Sequence, residues 1–184
     1  MFPKTLITSL VFASSGLLAT ASPTARQEIA IPVKVVNNCA FSTPVWHGQD
    51  FLANIASKKT LNTTTDTSGY FYQGVGKDGK SQPDFTKTLR AGISGWDYYF
   101  VVKADGDYTV GVTVAPTGRS ADALGFCATA GCNPATCKAD SAYKFAYPYP
   151  PNRYPNPTSV PPSRPLFQCP GANDAAGYTV TFCP

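Results

Sequence analysis

The sequence predicts an all-β domain stapled by disulfides, and three observations carry that prediction. Tyr178, Val180 and Phe182 alternate with Thr179 and Thr181 close to the C-terminus, Ile31, Val33 and Val35 alternate near the start, and the chain holds six cysteines. Period-2 alternation marks a strand with one face in a core and the other in water. The two stretches are expected to pair, with the closing strand at the edge of an antiparallel sheet.

Met1 to Ala21 has the form of a secretory signal peptide: Lys4 gives a positive start, Leu6 to Ala19 an apolar run, and Ala19-Thr20-Ala21 a small-residue cleavage site. Ser14, Ser15 and Gly16 break the run, which is shorter than the roughly 20 apolar residues of a spanning helix. No later segment reads as a membrane span, and the C-terminus lacks a GPI-type hydrophobic tail. The expected product is a secreted, extracellular protein without transmembrane anchoring, residues 22–184 forming one domain and a monomer. Losing Lys4 with the leader lowers the net charge from +4 to +3, with the basic residues scattered, so nothing supports nucleic-acid binding.

After the first strand come Asn37-Asn38-Cys39-Ala40-Phe41 and then Val45-Trp46, with Trp46 expected in the core or a groove and His47 in a loop. The single histidine, without a G-x-S-x-G motif, gives no nucleophilic triad. Asn62-Thr63-Thr64 is an N-glycosylation sequon in the polar, exposed-looking run from Lys58 to Thr65, so Asn62 is the expected glycosylation site. The glycine-rich run from Gly74 to Ser81 reads as a turn rather than a phosphate-binding loop, because no helix follows it. From Tyr147 to Pro165 the prolines exclude helix and sheet interior and favour an extended surface loop. Tyr147, Tyr149, Arg153 and Tyr154 are its candidate contacts to a glycan or a partner, against the plainer reading of a stiff connector. Pro170-Gly171 marks the turn that launches the last strand.

Six cysteines in an exported chain imply a disulfide framework whose connectivity the residues alone do not choose. A metal site is a poor rival: Cys127, Cys132 and Cys137 form no C-x-x-C pair and His47 is remote. No cofactor and no metal is expected.

The V-x-N-x-C turn at Val35 to Cys39, the closing Cys169-Pro170-Gly171 and Phe182-Cys183-Pro184, and the stretch from Trp96 to Tyr108 followed by Val112 to Thr117 together resemble the thaumatin-like family. The resemblance spans most of the chain after the leader. It implies a thaumatin-like β-sandwich and three pairings, Cys39 with Cys183, Cys127 with Cys169, and Cys132 with Cys137. Only Asn133 to Thr136 separate the last two, where the family inserts a disulfide-rich second domain, so that domain is expected to be missing, as in small secreted fungal members.

Family members that cut or bind β-1,3-glucan use an acidic cleft, and glycoside hydrolysis needs two carboxyl groups in different protonation states. Asp105 matches one cleft aspartate and Asp84-Phe85 resembles the Glu-Phe pair, making Asp84 and Asp105 the candidate catalytic residues. Phe100 stands where the family has another cleft aspartate, Asp97 matches a non-cleft one, and Gly69 to Gly74 contains no arginine. The resemblance then implies a non-enzymatic protein of the fungal cell wall or spore surface. Its partner would be β-1,3-glucan or another wall polysaccharide, or a host-cell surface protein, with a role in wall remodelling, germination or host contact. The alternatives are a weak endo-β-1,3-glucanase and a secreted antifungal or adhesin protein.

Overall fold

The computed structural model describes residues 30–65, 68–76, 81–84, 87–94, 97–103, 108–135, 137–144, 159–172 and 176–184. Two sheets account for all the regular structure among them, with no α-helix. The first has five strands in the order β4 (Thr60–Thr65), β1 (Ile31–Asn37), β12 (Tyr178–Phe182), β8 (Val112–Pro116) and β9 (Ala130–Cys132). The second runs β10 (Tyr143–Lys144), β7 (Tyr98–Lys103), β6 (Arg90–Ser94), β5 (Ser68–Gln73), β2 (Thr43–His47) and β3 (Asp50–Ile55), with β11 (Phe167–Gln168) also paired to β7.

The sheets pack face to face as a β-sandwich. Ile31, Val33 and Val35 of β1, Val112 and Val114 of β8, and Tyr178, Val180 and Phe182 of β12 meet Val45, Phe71, Ala91, Ile93, Tyr99 and Val101 from the other sheet in one buried cluster. In β1 and β12 every second residue is buried, as the alternation requires. β6 and β7 differ: all five residues of β6 and the first five of β7 are buried. A second cluster of Tyr98, Phe100, Val102, Tyr143 and Leu166 sits on their far face, which is why β7 reads as a continuous apolar run.

The two ends of the domain do pair, but β12 is not an edge strand. It lies between β1 and β8, parallel to the first and antiparallel to the second. Alternation reports one buried and one solvated face and says nothing about the number of neighbours, and the threonines on its outer side suit an interior strand as well as an edge. The Pro170-Gly171 turn is present, with Gly171 at φ +74°, but the residue that sets β12 beside β1 is Gly177. At φ +68° it approaches so closely that an added Cβ would stand 1.8 Å from the Pro32 carbonyl oxygen.

His47 is likewise not in a loop. Gly48 at φ +59° and Gln49 make a two-residue turn into β3, so β2 continues through His47. Its ring stacks on Phe71 at 4.6 Å and shares a 2.8 Å hydrogen bond with the Thr65 hydroxyl, in space left by the missing side chain of Gly69. Trp46 is buried, its Nε1 donating to the Gly74 carbonyl at 3.0 Å. Three disulfides join Cys39 to Cys183, Cys127 to Cys169, and Cys132 to Cys137, and no cysteine is free.

Candidate functional site

The chain between β5 and β6 forms one wall of an open groove, and the approach to β8 forms the other. β5 is carried out of the sheet at Gly74, whose N–H donates to Pro44 and whose carbonyl receives the Trp46 indole. The Gly76 N–H then donates to the Ser81 carbonyl at 2.7 Å, and residues 77–80, the middle of the glycine-rich run expected to turn, lie outside the described residues. Nearby, the Tyr72 hydroxyl and the Gln82 amide both donate to the Gly48 carbonyl, fixing the connection to the β2–β3 turn.

The groove measures about 390 Å³ and is lined by Val75, Pro83, Asp84, Lys87, Thr88 and Tyr108 among others. The Asp84 side chain is 53% exposed and faces Lys87 at 3.9 Å, while its carbonyl accepts the Lys87 N–H at 2.9 Å. Tyr108 is half-buried, its hydroxyl 3.5 Å from the Cys132 sulfur, and burial raises its pKa above the usual phenol value. Apolar surface from Val75, Pro83 and the Tyr108 ring thus lies beside hydrogen-bonding groups of both signs.

Asp84 is therefore placed in a groove, whereas Asp105 lies outside the described residues. So do Tyr147, Tyr149, Arg153 and Tyr154. Asp97 plays a structural part. At φ +65° its carboxylate accepts the Gly171 N–H at 2.7 Å and its carbonyl accepts the Cys169 N–H at 3.0 Å. The C-P-G turn is thereby bound to the start of β7. Asn62 is exposed in the middle of β4.

Phe100 occupies the outer face of the seven-stranded sheet. Its ring covers Gly92, across the ladder on β6, and meets Tyr70 and Tyr143 edge to face at 6.0 and 5.7 Å. Where the resemblance places a cleft carboxylate, the chain packs rings. Beside them lies a cation that the sequence does not advertise. Arg90 pairs across the ladder with Tyr72, is 6% exposed, and holds its guanidinium 4.9 Å over the Tyr70 ring. Burial draws its pKa down, opposed by Tyr70 and Tyr72, and burial raises both of those tyrosines. The one available signal is periodicity: Arg90 precedes Ala91 and Ile93, both core-facing, and so belongs to the opposite face.

No group of three or more His, Cys, Asp or Glu side chains able to hold a metal ion occurs among the described residues. No helix among them is long and apolar enough to cross a membrane. No protein-family model matches the chain, and no curated protein matches it. The groove itself offers apolar surface beside a carboxylate, an ammonium and hydroxyls.

Proposed function

We propose that this is a secreted, non-enzymatic protein of thaumatin-like type, residing in the fungal cell wall or on the spore surface and binding β-1,3-glucan through the groove between the β5–β6 connection and the approach to β8. The observation that carries the reading is the groove's lining, in which Tyr108, Pro83 and Val75 stand beside Asp84, Lys87 and Thr88. The terminal-strand pairing and the three disulfides agree with the resemblance and suit an oxidising compartment outside the cell. The setting of Asp84 favours binding over cleavage in this reading. A general-acid carboxyl is held protonated by an enclosing apolar pocket, and Asp84 stands open to solvent beside Lys87. A place in wall remodelling, germination or host contact belongs to the same reading.

The test is retention of the mature, oxidised protein on insoluble β-1,3-glucan, with chitin and cellulose alongside. The expected result is retention on glucan, weakened about tenfold, or roughly 1.4 kcal/mol, by Val75→Arg at the groove rim. Val75 is 44% exposed, so the change leaves the core alone. No retention on glucan, or equal retention of the V75R variant, overturns the proposal.

A further inference from the structure

Among the described residues, five strands form sheet edges: β4 and β9 in one sheet, and β3, β10 and β11 in the other. An edge strand shows unpaired N–H and C=O groups to its surroundings and invites pairing with another chain, so edges are kept short, bulged, charged or covered. Four of the five follow that rule. β9 has three residues and ends at Cys132, bonded to Cys137. β10 and β11 have two residues each, and one of those in β10 is the exposed Lys144. β3 opens on the exposed Asp50, and its pairing with β2 slips between Val45 and Trp46.

β4 has no such guard within its length. Thr60-Leu61-Asn62-Thr63-Thr64-Thr65 holds no charge and no proline, and it pairs with β1 in unbroken register from Thr60 opposite Val36 to Thr65 opposite Ile31. Of the two lysines before it, Lys58 turns back to donate to the Asn38 carbonyl, while the exposed Lys59 stands only at the strand's start, its carbonyl accepting the Asn37 N–H. An uncharged strand of six residues with four threonines is a good template for a foreign strand.

The sequon lies in the middle of this edge. Asn62 is exposed, sits opposite Lys34 of β1, and shares its outward face with Thr60 and Thr64. We propose that Asn62 carries an N-linked glycan that covers the free edge of β4 and keeps the chain monomeric. In the attachment, Asn62 Nδ2 displaces a lipid diphosphate from the anomeric carbon of an oligosaccharyl donor. The C–N bond forms, the C–O bond to phosphate breaks, and one Nδ2 proton passes to a base of the transferring enzyme. Thr64 supplies the hydroxyl that completes the acceptor sequence. A bulky hydrated group at mid-strand then blocks a second strand from settling at the usual spacing of about 4.8 Å.

The inference requires export but not the glucan reading. The full chain is secreted from eukaryotic cells, its mass is measured before and after endoglycosidase trimming, and sedimentation is compared for wild type, Asn62→Gln, Thr64→Ala and Asn62→Lys. The expected result is a mass loss on trimming, complete loss of glycan in all three variants, and a shift of N62Q and T64A from monomer to concentration-dependent larger species. N62K, glycan-free but charged at the same place, stays monomeric. T64A keeps Asn62, so a folding defect confined to N62Q leaves the test intact. Absence of glycan on the secreted wild type, monomeric T64A, or association of N62K equal to that of T64A overturns the proposal.

Discussion

Tyr99 and Tyr178 meet in the core with ring centroids 5.3 Å apart, and both are fully buried. The Tyr99 hydroxyl donates to the Ala128 carbonyl, whereas the Tyr178 hydroxyl has no hydrogen-bond partner among the described residues. Removing the first leaves a buried carbonyl unsatisfied, and removing the second deletes an unpaired polar atom. Tyr99→Phe is expected to cost about 1–2 kcal/mol and Tyr178→Phe to be neutral or stabilising by up to about 1 kcal/mol, as read by urea denaturation. Burial raises the pKa of both phenols above the usual 10.0. The folded state then holds protons that the unfolded chain releases above pH 10, so their contribution is complete below that pH and is lost as pH rises towards the folded values. Each phenol steepens the loss by about 1.4 kcal/mol per pH unit in that window. Denaturation series from pH 8 to 11, followed by tyrosinate absorbance, check the sign; stability that is flat across that range contradicts it.

Gly177 decides where a whole strand lies. Its N–H donates to the Ala172 carbonyl, its own carbonyl accepts the Thr117 N–H, and its positive φ delivers the chain against the backbone of Pro32. Gly177→Ala meets both a disfavoured conformation and an immovable carbonyl, so a cost of about 3 kcal/mol or more is expected in thermal or urea unfolding. Substitution at Gly171 is expected to cost less, since nothing lies within 4 Å of its added Cβ. The same comparison explains what was legible in advance. The faces of β1 and β12 are written in their alternation, and the turn in Pro170-Gly171. The position of β12 inside the sheet is not, because it depends on one close approach between residues far apart in sequence. His47 escaped for a related reason: its strand ends only where Gly48 turns, and its partners Thr65 and Phe71 come from other strands.

At the scale of the whole molecule the three disulfides close loops of very different size, with sequence separations of 144, 42 and 5 residues. In the chain-entropy account their removal should cost about 5, 4 and 2 kcal/mol respectively. Paired Cys→Ala variants compared by urea midpoint test that ranking; a Cys132/Cys137 variant less stable than a Cys39/Cys183 variant would contradict it. The groove is also a property of the whole chain. Asp84 is legible beforehand as a candidate carboxylate, but Val75 and Tyr108 become its neighbours only through the order of strands, and Arg90 meets Tyr70 only because β6 lies beside β5.

That strand order has a further consequence, for the way the protein comes into being. β1 takes its parallel partner from Tyr178–Phe182, far along the chain, and β8 waits for the same strand. The five-stranded sheet therefore has a gap at its centre until Tyr178–Phe182 has been made, and most of its pairing is long-range.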